Sequence, residues 1–134
     1  MDGVILTPLK VIPHPKGDVL HALKCVEESF FGFGEAYFTK ILHSETKGWK
    51  LHERMALNLV VPVGSVRFYV RSEAGIAKKY DLGVDHYSRL TIAPGYWVAF
   101  RGLSDGLNLV LNVASIPHDP SESRNLPLDA FSFE

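Results

Sequence analysis

The chain has 134 residues, with 14 Lys and Arg against 15 Asp and Glu, and 46% of it is hydrophobic. That length fits one domain with a substantial core, and the near-neutral balance argues against nucleic acid or a membrane surface as the principal partner, since both draw on a basic excess. No apolar run approaches the roughly 20 residues of a spanning helix. The opening MDGVILTPLK lacks the apolar run and small-residue cleavage site of a signal peptide. The single Cys25 has no partner for an internal disulfide and is expected to be a small buried apolar residue in a cytoplasmic protein.

Residues 4–12 alternate loosely around Pro8 and predict an edge strand. Residues 14–18 read as a turn, with Pro15 fixing φ and Gly17 relaxing it, and 19–24 as a short strand. The stretch 27–34 opens at most one helical turn before its two glycines stop it. Aromatic and β-branched residues predict a strand over 35–42, and 43–46 is a polar turn. In 47–52 the alternation sends Lys50 and His52 to one face, with Leu51 and Glu53 opposite. Residues 56–63 are too apolar and short for a surface helix and predict a strand, which Pro62 restricts to an edge or a bulge. Gly64 supplies a tight reversal into a half-buried strand, where Val66, Phe68 and Val70 alternate with Arg67, Tyr69 and Arg71. The segment 47–70 is thus expected to be a hairpin with two cationic side chains at its mouth. After a loop at 72–79, strands follow at 80–84, 89–92, 96–100 and 107–114, the last with Asn108 and Asn112 on one face. From Ser115 onward Pro117, Pro120 and Pro127 break the pattern, and a tail lying over the body is expected. With no internal repeat and no linker, 1–134 reads as one all-β domain, a sandwich or barrel with the jelly roll favoured.

Several segments, in this order, resemble the cupin superfamily and, within it, the sugar-nucleotide 3,5-epimerases acting on dTDP-4-keto-6-deoxyglucose. Gly3-Val4 with Pro8-Leu9-Lys10 is similar to that family's opening strand, and Lys16-Gly17 falls on an Arg-Gly step whose arginine meets the nucleotide. Phe33 to Thr39 resembles the Phe-x-Gln-x-Asn-x-Ser strand that touches substrate, and Lys47-Gly48-Trp49-Lys50 lies on the Arg-Gly-Leu-His motif. Arg89 to Trp97 resembles the family's Ile-Pro-Pro-Gly-x-x-His turn, and Asp119-Pro120-Ser121-Glu122 its closing Ser-Pro-Glu segment. The resemblance implies a cupin jelly roll, proton transfer beside a keto group without metal or other cofactor, a nucleotide-sugar substrate, and a homodimer that exchanges an N-terminal strand. The chain departs from the pattern twice. Lys50 stands where the family has its catalytic histidine, and Ile116, Pro117 and His118 lie where it has its tyrosine acid. The positions that hold metal in other cupins are Lys50, His52, Leu57 and Val98 here, one ligand of four, so no metal is expected.

The candidate catalytic residues are Lys50, His52 and Glu35. Lys50 serves as a base only if burial or a cationic neighbour such as Lys47 or His52 favours its neutral form; as an ammonium it would hold an enolate oxygen or a phosphate. His52 suits acid–base work near neutral pH, against the simpler reading of a hydrogen-bonded core histidine. Glu35 is an acceptor or base, or merely an exposed strand residue. Candidate substrate contacts are Lys16, Tyr37 as a donor, Lys47, and Arg67 as a bidentate phosphate ligand or an outward-facing arginine. Two functions follow: an epimerase or isomerase of a nucleotide-linked keto-deoxysugar, or a binding cupin that kept the pocket and lost the base.

Overall fold

In the computed structural model, which describes residues 1–134, the alternating segments form two five-stranded antiparallel sheets packed as a jelly roll. The first carries β1 (Val4–Pro8), β9 (Ser88–Ile92), β6 (Leu57–Val63), β11 (Asn108–Ala114) and β4 (Glu35–Ile41), in that spatial order. The second carries β12 (Ser123–Asn125), β5 (Thr46–His52), β10 (Tyr96–Gly102), β7 (Ser65–Ser72) and β8 (Ala77–Gly83). A small hairpin of β2 (Val11–Ile12) and β3 (Val19–Leu20) stands apart, and β1 pairs with β9 of its own chain. No helix is long and apolar enough to cross a membrane. Leu57, Leu59, Val61, Val66, Phe68, Val70 and Leu90 meet between the sheets as the main core.

The expected hairpin over 47–70 is not formed. β6 pairs with β9 and β11, β7 pairs with β8 and β10, and the chain changes sheets at Gly64. Gly64 has φ +81°, and a Cβ there would lie 2.3 Å from the Leu107 carbonyl oxygen, so only glycine fits this corner. Pro62 sits in the central strand β6, where the register with β11 shifts, so the bulge accommodates its missing N–H. Asn108 fastens the same corner: its Oδ1 accepts from the N–H groups of Ser65 and Ser104, and its Nδ2 donates to the carbonyls of Ile41 and Ser104.

Each outer face is covered differently. Over the first sheet, Arg89 is fully buried and donates to Glu27, Ser29, Asn58 and the Ala22 carbonyl, pinning residues 22–29 to β6 and β9. Over the second, the tail returns as expected: Phe131 and Phe133 pack on Trp49, and Trp49 exchanges backbone hydrogen bonds with Leu126. Cys25 is exposed, not buried as the sequence suggested, because it sits in a turn of the segment 22–29 that Arg89 holds.

Removing the Arg89 guanidinium takes a donor from four acceptors at once, of which Asn58 Oδ1 keeps its bond from Thr91 Oγ1, and leaves Glu27 without its cation. Arg89→Leu is expected to cost about 3 kcal/mol or more, read as a shift of the urea midpoint at unchanged slope. A midpoint within error of the wild type would show that the network contributes nothing net.

Candidate active site

Strand alternation divides β5 between two environments. Trp49 and Leu51 point outward into the cluster beneath the tail, and Lys50 and His52 point inward. Gly48 permits the turn of the strand here, since a Cβ would come within 2.5 Å of Ala99 Cβ. The inward side chains border a cavity of about 340 Å³ between the sheets. Its floor is apolar, formed by Leu57, Leu59, Phe68, Val98 and Val110, and its polar edge carries Tyr37, Lys47, Lys50, His52, Asn112 and Asn125.

His52 Nδ1 makes a short hydrogen bond to Glu122 Oε1. Glu122 closes the turn Pro120–Glu122 and its side chain is only 1% exposed. Its second oxygen, Oε2, accepts from the N–H groups of Arg54 and Met55 at 3.1 and 3.2 Å. Burial pushes the Glu122 carboxyl up, but the hydrogen bond from His52, the two backbone N–H groups and the imidazole charge outweigh it and hold the group below its ordinary range. With Nδ1 committed to a carboxylate, the neutral imidazole presents Nε2 as its free acceptor, on a ring that borders the cavity. A carboxylate-backed histidine is equipped to take a proton, because the carboxylate fixes the tautomer and stabilises the imidazolium that forms.

Lys50 borders the same cavity but is exposed, so the burial that a lysine base needs is absent and the position suits a cation holding an anionic group. Lys47 Nζ donates to the Lys40 carbonyl at 3.1 Å, which stations a second ammonium at the rim. Tyr37 reaches the cavity from β4, where its hydroxyl accepts from Asn112 Nδ2 at 3.0 Å. Leu57 and Val98, at two positions where other cupins hold metal, are apolar wall residues.

Three expected site residues do not reach the cavity. Val66 and Phe68 take the inward positions of β7, so Arg67 faces outward and grips Asp81 through two hydrogen bonds of 2.7 and 2.8 Å. Lys16 lies exposed in the turn between β2 and β3. Glu35 shares the inward face of β4 but begins the strand opposite Ala114, one pleat beyond Tyr37 and outside the lining. Conversely, Glu122, Asn112 and Asn125 belong to the site without having been singled out for it. The signal for Glu122 was its place in the Ser-Pro-Glu-like segment; that for Asn112 was a polar residue on the inward face of an apolar strand. Asn125 gave no signal, since it reaches the cavity only because β12 pairs with β5.

Glu122 ties stability to pH with a definite sign. Its folded pKa is below its unfolded one, so its contribution is complete above the ordinary carboxylate pKa of about 4.3 and is lost as the pH falls through the lower folded value. The gap in Tm between wild type and Glu122→Gln should therefore be level from neutrality down to that range and shrink below it. A gap undiminished at pH 3 would contradict this role.

No family model matches the chain, and no curated protein is similar enough to count as a relative. Among solved structures it is similar to a dTDP sugar isomerase from Desulfovibrio desulfuricans G20, at 36% identity and TM-score 0.92, over 96% of this chain and 87% of that one. A sugar 3,4-ketoisomerase from Thermoanaerobacterium thermosaccharolyticum, in complex with TDP, is 20% identical with TM-score 0.79, over 91% of this chain and 87% of that one. A dTDP-4-dehydrorhamnose 3,5-epimerase from Sulfolobus tokodaii is 18% identical with TM-score 0.83, over 98% of this chain and 81% of that one. The last two likenesses are of fold.

Proposed function

The chain belongs to the dTDP-sugar isomerase family of cupins, and from that premise we propose that it moves protons on a nucleotide-linked keto-deoxysugar, with residues 1–134 acting as one metal-independent domain. The observation that carries the reading is the His52–Glu122 pair at the edge of a half-apolar cavity. His52 Nε2 takes the proton from carbon beside the ketone, and Glu122 stabilises the imidazolium. The pair of electrons left behind passes to the carbonyl oxygen, and the resulting enolate needs a nearby cation, a role for Lys50. Lys47, at the rim, suits a phosphate of the nucleotide. The floor of Leu57, Leu59 and Phe68 keeps water from the reacting carbon and strengthens each charge interaction above it. The binding-only alternative rested on the loss of both the family's histidine, at position 50, and its tyrosine acid, where Ile116, Pro117 and His118 stand. His52, two residues further on with a carboxylate behind it, supplies a base in place of the first.

Deuterium incorporation from D2O into dTDP-4-keto-6-deoxyglucose, followed by NMR, tests this. Wild type should label a carbon next to the carbonyl, and His52→Asn should slow labelling by about 10²–10⁴-fold. Lys50→Met should also be slow, whereas Lys50→Arg, which keeps the charge but cannot serve as a base near neutrality, should retain more activity. If the wild type labels none of several dTDP-keto-sugars, the reading is wrong; if Lys50→Met is fully active, Lys50 has no part in it.

The assembly we propose is a homodimer in a cytoplasmic setting, which an exposed, unpaired Cys25 tolerates. Its support is the uncovered end of the first sheet, where Phe38 is 64% exposed on β4 beside Leu111 of β11, with Phe31 and Phe33 exposed nearby in sequence. An apolar surface of this kind is normally covered, and a twofold pair is the commonest way for identical chains to do so. Light scattering at micromolar concentration should give twice the chain mass, and Phe38→Glu should halve it. Monomer mass for the wild type would refute the dimer.

A further inference from the structure

The strand pairing that brings Asn125 into the cavity also fixes its neighbour there. Trp49 and Leu126 exchange both of their backbone hydrogen bonds, N–H to carbonyl in each direction, at 3.2 and 3.0 Å. In an antiparallel ladder such hydrogen-bonded pairs alternate with non-hydrogen-bonded ones, in which the two side chains stand closest. The next pair along is Lys50 with Asn125. Both side chains line the cavity, so Asn125 stands directly beside Lys50 on one wall, with His52 a pleat further along β5. The two cavity asparagines differ in what they have left to offer. Asn112 is engaged by Asn58 on its oxygen and by Tyr37 on its nitrogen. The Asn125 amide is engaged by no other group of the protein, so its carbonyl and its NH2 are both open to a ligand. A neutral group that donates and accepts matches a hydroxyl, which does the same, better than a carbonyl or an ionised phosphate, which only accept.

We infer that Asn125 is a specificity-determining residue, which reads the hydroxyl on the carbon next to the substrate's ketone. The inference rests on the keto-sugar reading above, in which Lys50 holds the ketone oxygen as it becomes an enolate. A substrate group bound beside Lys50 then belongs to a carbon adjacent to the carbonyl. In a 4-keto-6-deoxy sugar one such carbon, C5, bears the methyl group and the ring oxygen. The other, C3, bears a hydroxyl. The methyl group suits the apolar floor of Leu57, Leu59 and Phe68, and the hydroxyl suits the amide. The substrate selected is therefore an α-hydroxy ketone, and a sugar without that hydroxyl leaves the amide to water. Asn125 is exposed, so water pairs it again without difficulty. The discrimination is accordingly that of one net hydrogen bond, about fivefold, and not the far larger penalty of a buried amide left unpaired.

The test compares kcat/KM for deuterium labelling in D2O, by NMR, on dTDP-4-keto-6-deoxyglucose and on its 3-deoxy counterpart, dTDP-4-keto-3,6-dideoxyglucose. Asn125→Ala should lower the ratio of the two values by about fivefold, because the contact is lost only where the hydroxyl is present. Differences in intrinsic C–H acidity between the sugars cancel when the variant's ratio is divided by the wild type's. A general loosening of the site slows both sugars alike and does not move the ratio. Asn125→Leu, of similar size and without either polar atom, should shift it by the same amount. The ratio against the 2-deoxy counterpart should keep its wild-type value in both variants, since that hydroxyl lies one carbon further from the ketone. An unchanged 3-deoxy ratio in either variant overturns the inference, and so does a shift confined to the 2-deoxy ratio. Either result leaves wild-type labelling, and with it the keto-sugar reading, in place. A wild type that labels none of the three sugars removes the underlying function together with this assignment.

Discussion

The structure around the site depends on one buried carboxylate. Glu122 carries a negative charge into a position with almost no solvent contact, which is unfavourable unless several donors meet it. They do: the His52 imidazole on one oxygen, and the Arg54 and Met55 N–H groups on the other. Those two N–H groups belong to the bend between β5 and β6, so the carboxylate holds the end of β5 at a fixed angle as well as the ring above it. The Glu122 carbonyl also accepts from the Glu53 N–H at 2.7 Å, which leads the chain directly into β12 alongside β5. The C-terminal segment is therefore part of the cavity's construction and not a trailing end.

That arrangement explains why the tail is so firmly seated elsewhere. Phe133 stacks on Trp49 with centroids 5.2 Å apart, Phe131 meets the same indole edge-on at 5.3 Å, and Trp49 Nε1 donates to the Leu128 carbonyl. Trp49 lies between Gly48 and Lys50, both cavity residues, so the aromatic contacts outside the sheet and the polar groups inside it share one strand. Packing of this kind confers precision, because a well-filled aromatic cluster resists small displacements that a loose surface would allow. The strand that carries His52 is thus clamped on its outer face by the aromatic cluster and at its end by Glu122.

Alternation made most of the fold legible. Lys50 and His52 share a face in the sequence and in the structure, and Val66, Phe68 and Val70 fall inward as the pattern requires. What alternation does not encode is which strand lies beside which. A glycine reversal between two apolar strands looks like a hairpin whether the strands pair or part, and at Gly64 they part, because β6 is already flanked by β9 and β11. The same limit explains the site residues. Arg67 followed the parity rule and faces outward, where Asp81 on the neighbouring strand neutralises it, a partner visible only once β7 and β8 are in register. Glu35 had the right face but the wrong depth, since depth is set by pairing with β11 and not by the local pattern. Glu122 is separated by 70 positions from the ring it orients, and no periodicity spans such a gap.

The two asparagines of β11 show how one strand uses the same buried amide in two ways. Both are buried at inward positions of an otherwise apolar strand, a placement that costs free energy unless every donor and acceptor finds a partner. Asn108 spends its amide entirely on backbone groups of the closed corner, Ser65, Ser104 and Ile41. Nothing is left over, and its effect is to fix the point where the chain changes sheets. Asn112 satisfies its oxygen on the Asn58 backbone and directs its remaining donor at Tyr37, a side chain that opens onto the cavity. The distinction follows from where each network ends. A buried polar chain that closes on backbone can only hold shape, whereas one that ends on a titratable hydroxyl facing solvent hands the orientation of that hydroxyl to the rigid core. His52 is governed by the same logic from the other sheet, with a buried carboxylate in place of the amide. The protein interior thereby orients a polar group on each wall of the cavity, the Tyr37 hydroxyl on one and the His52 imidazole on the other.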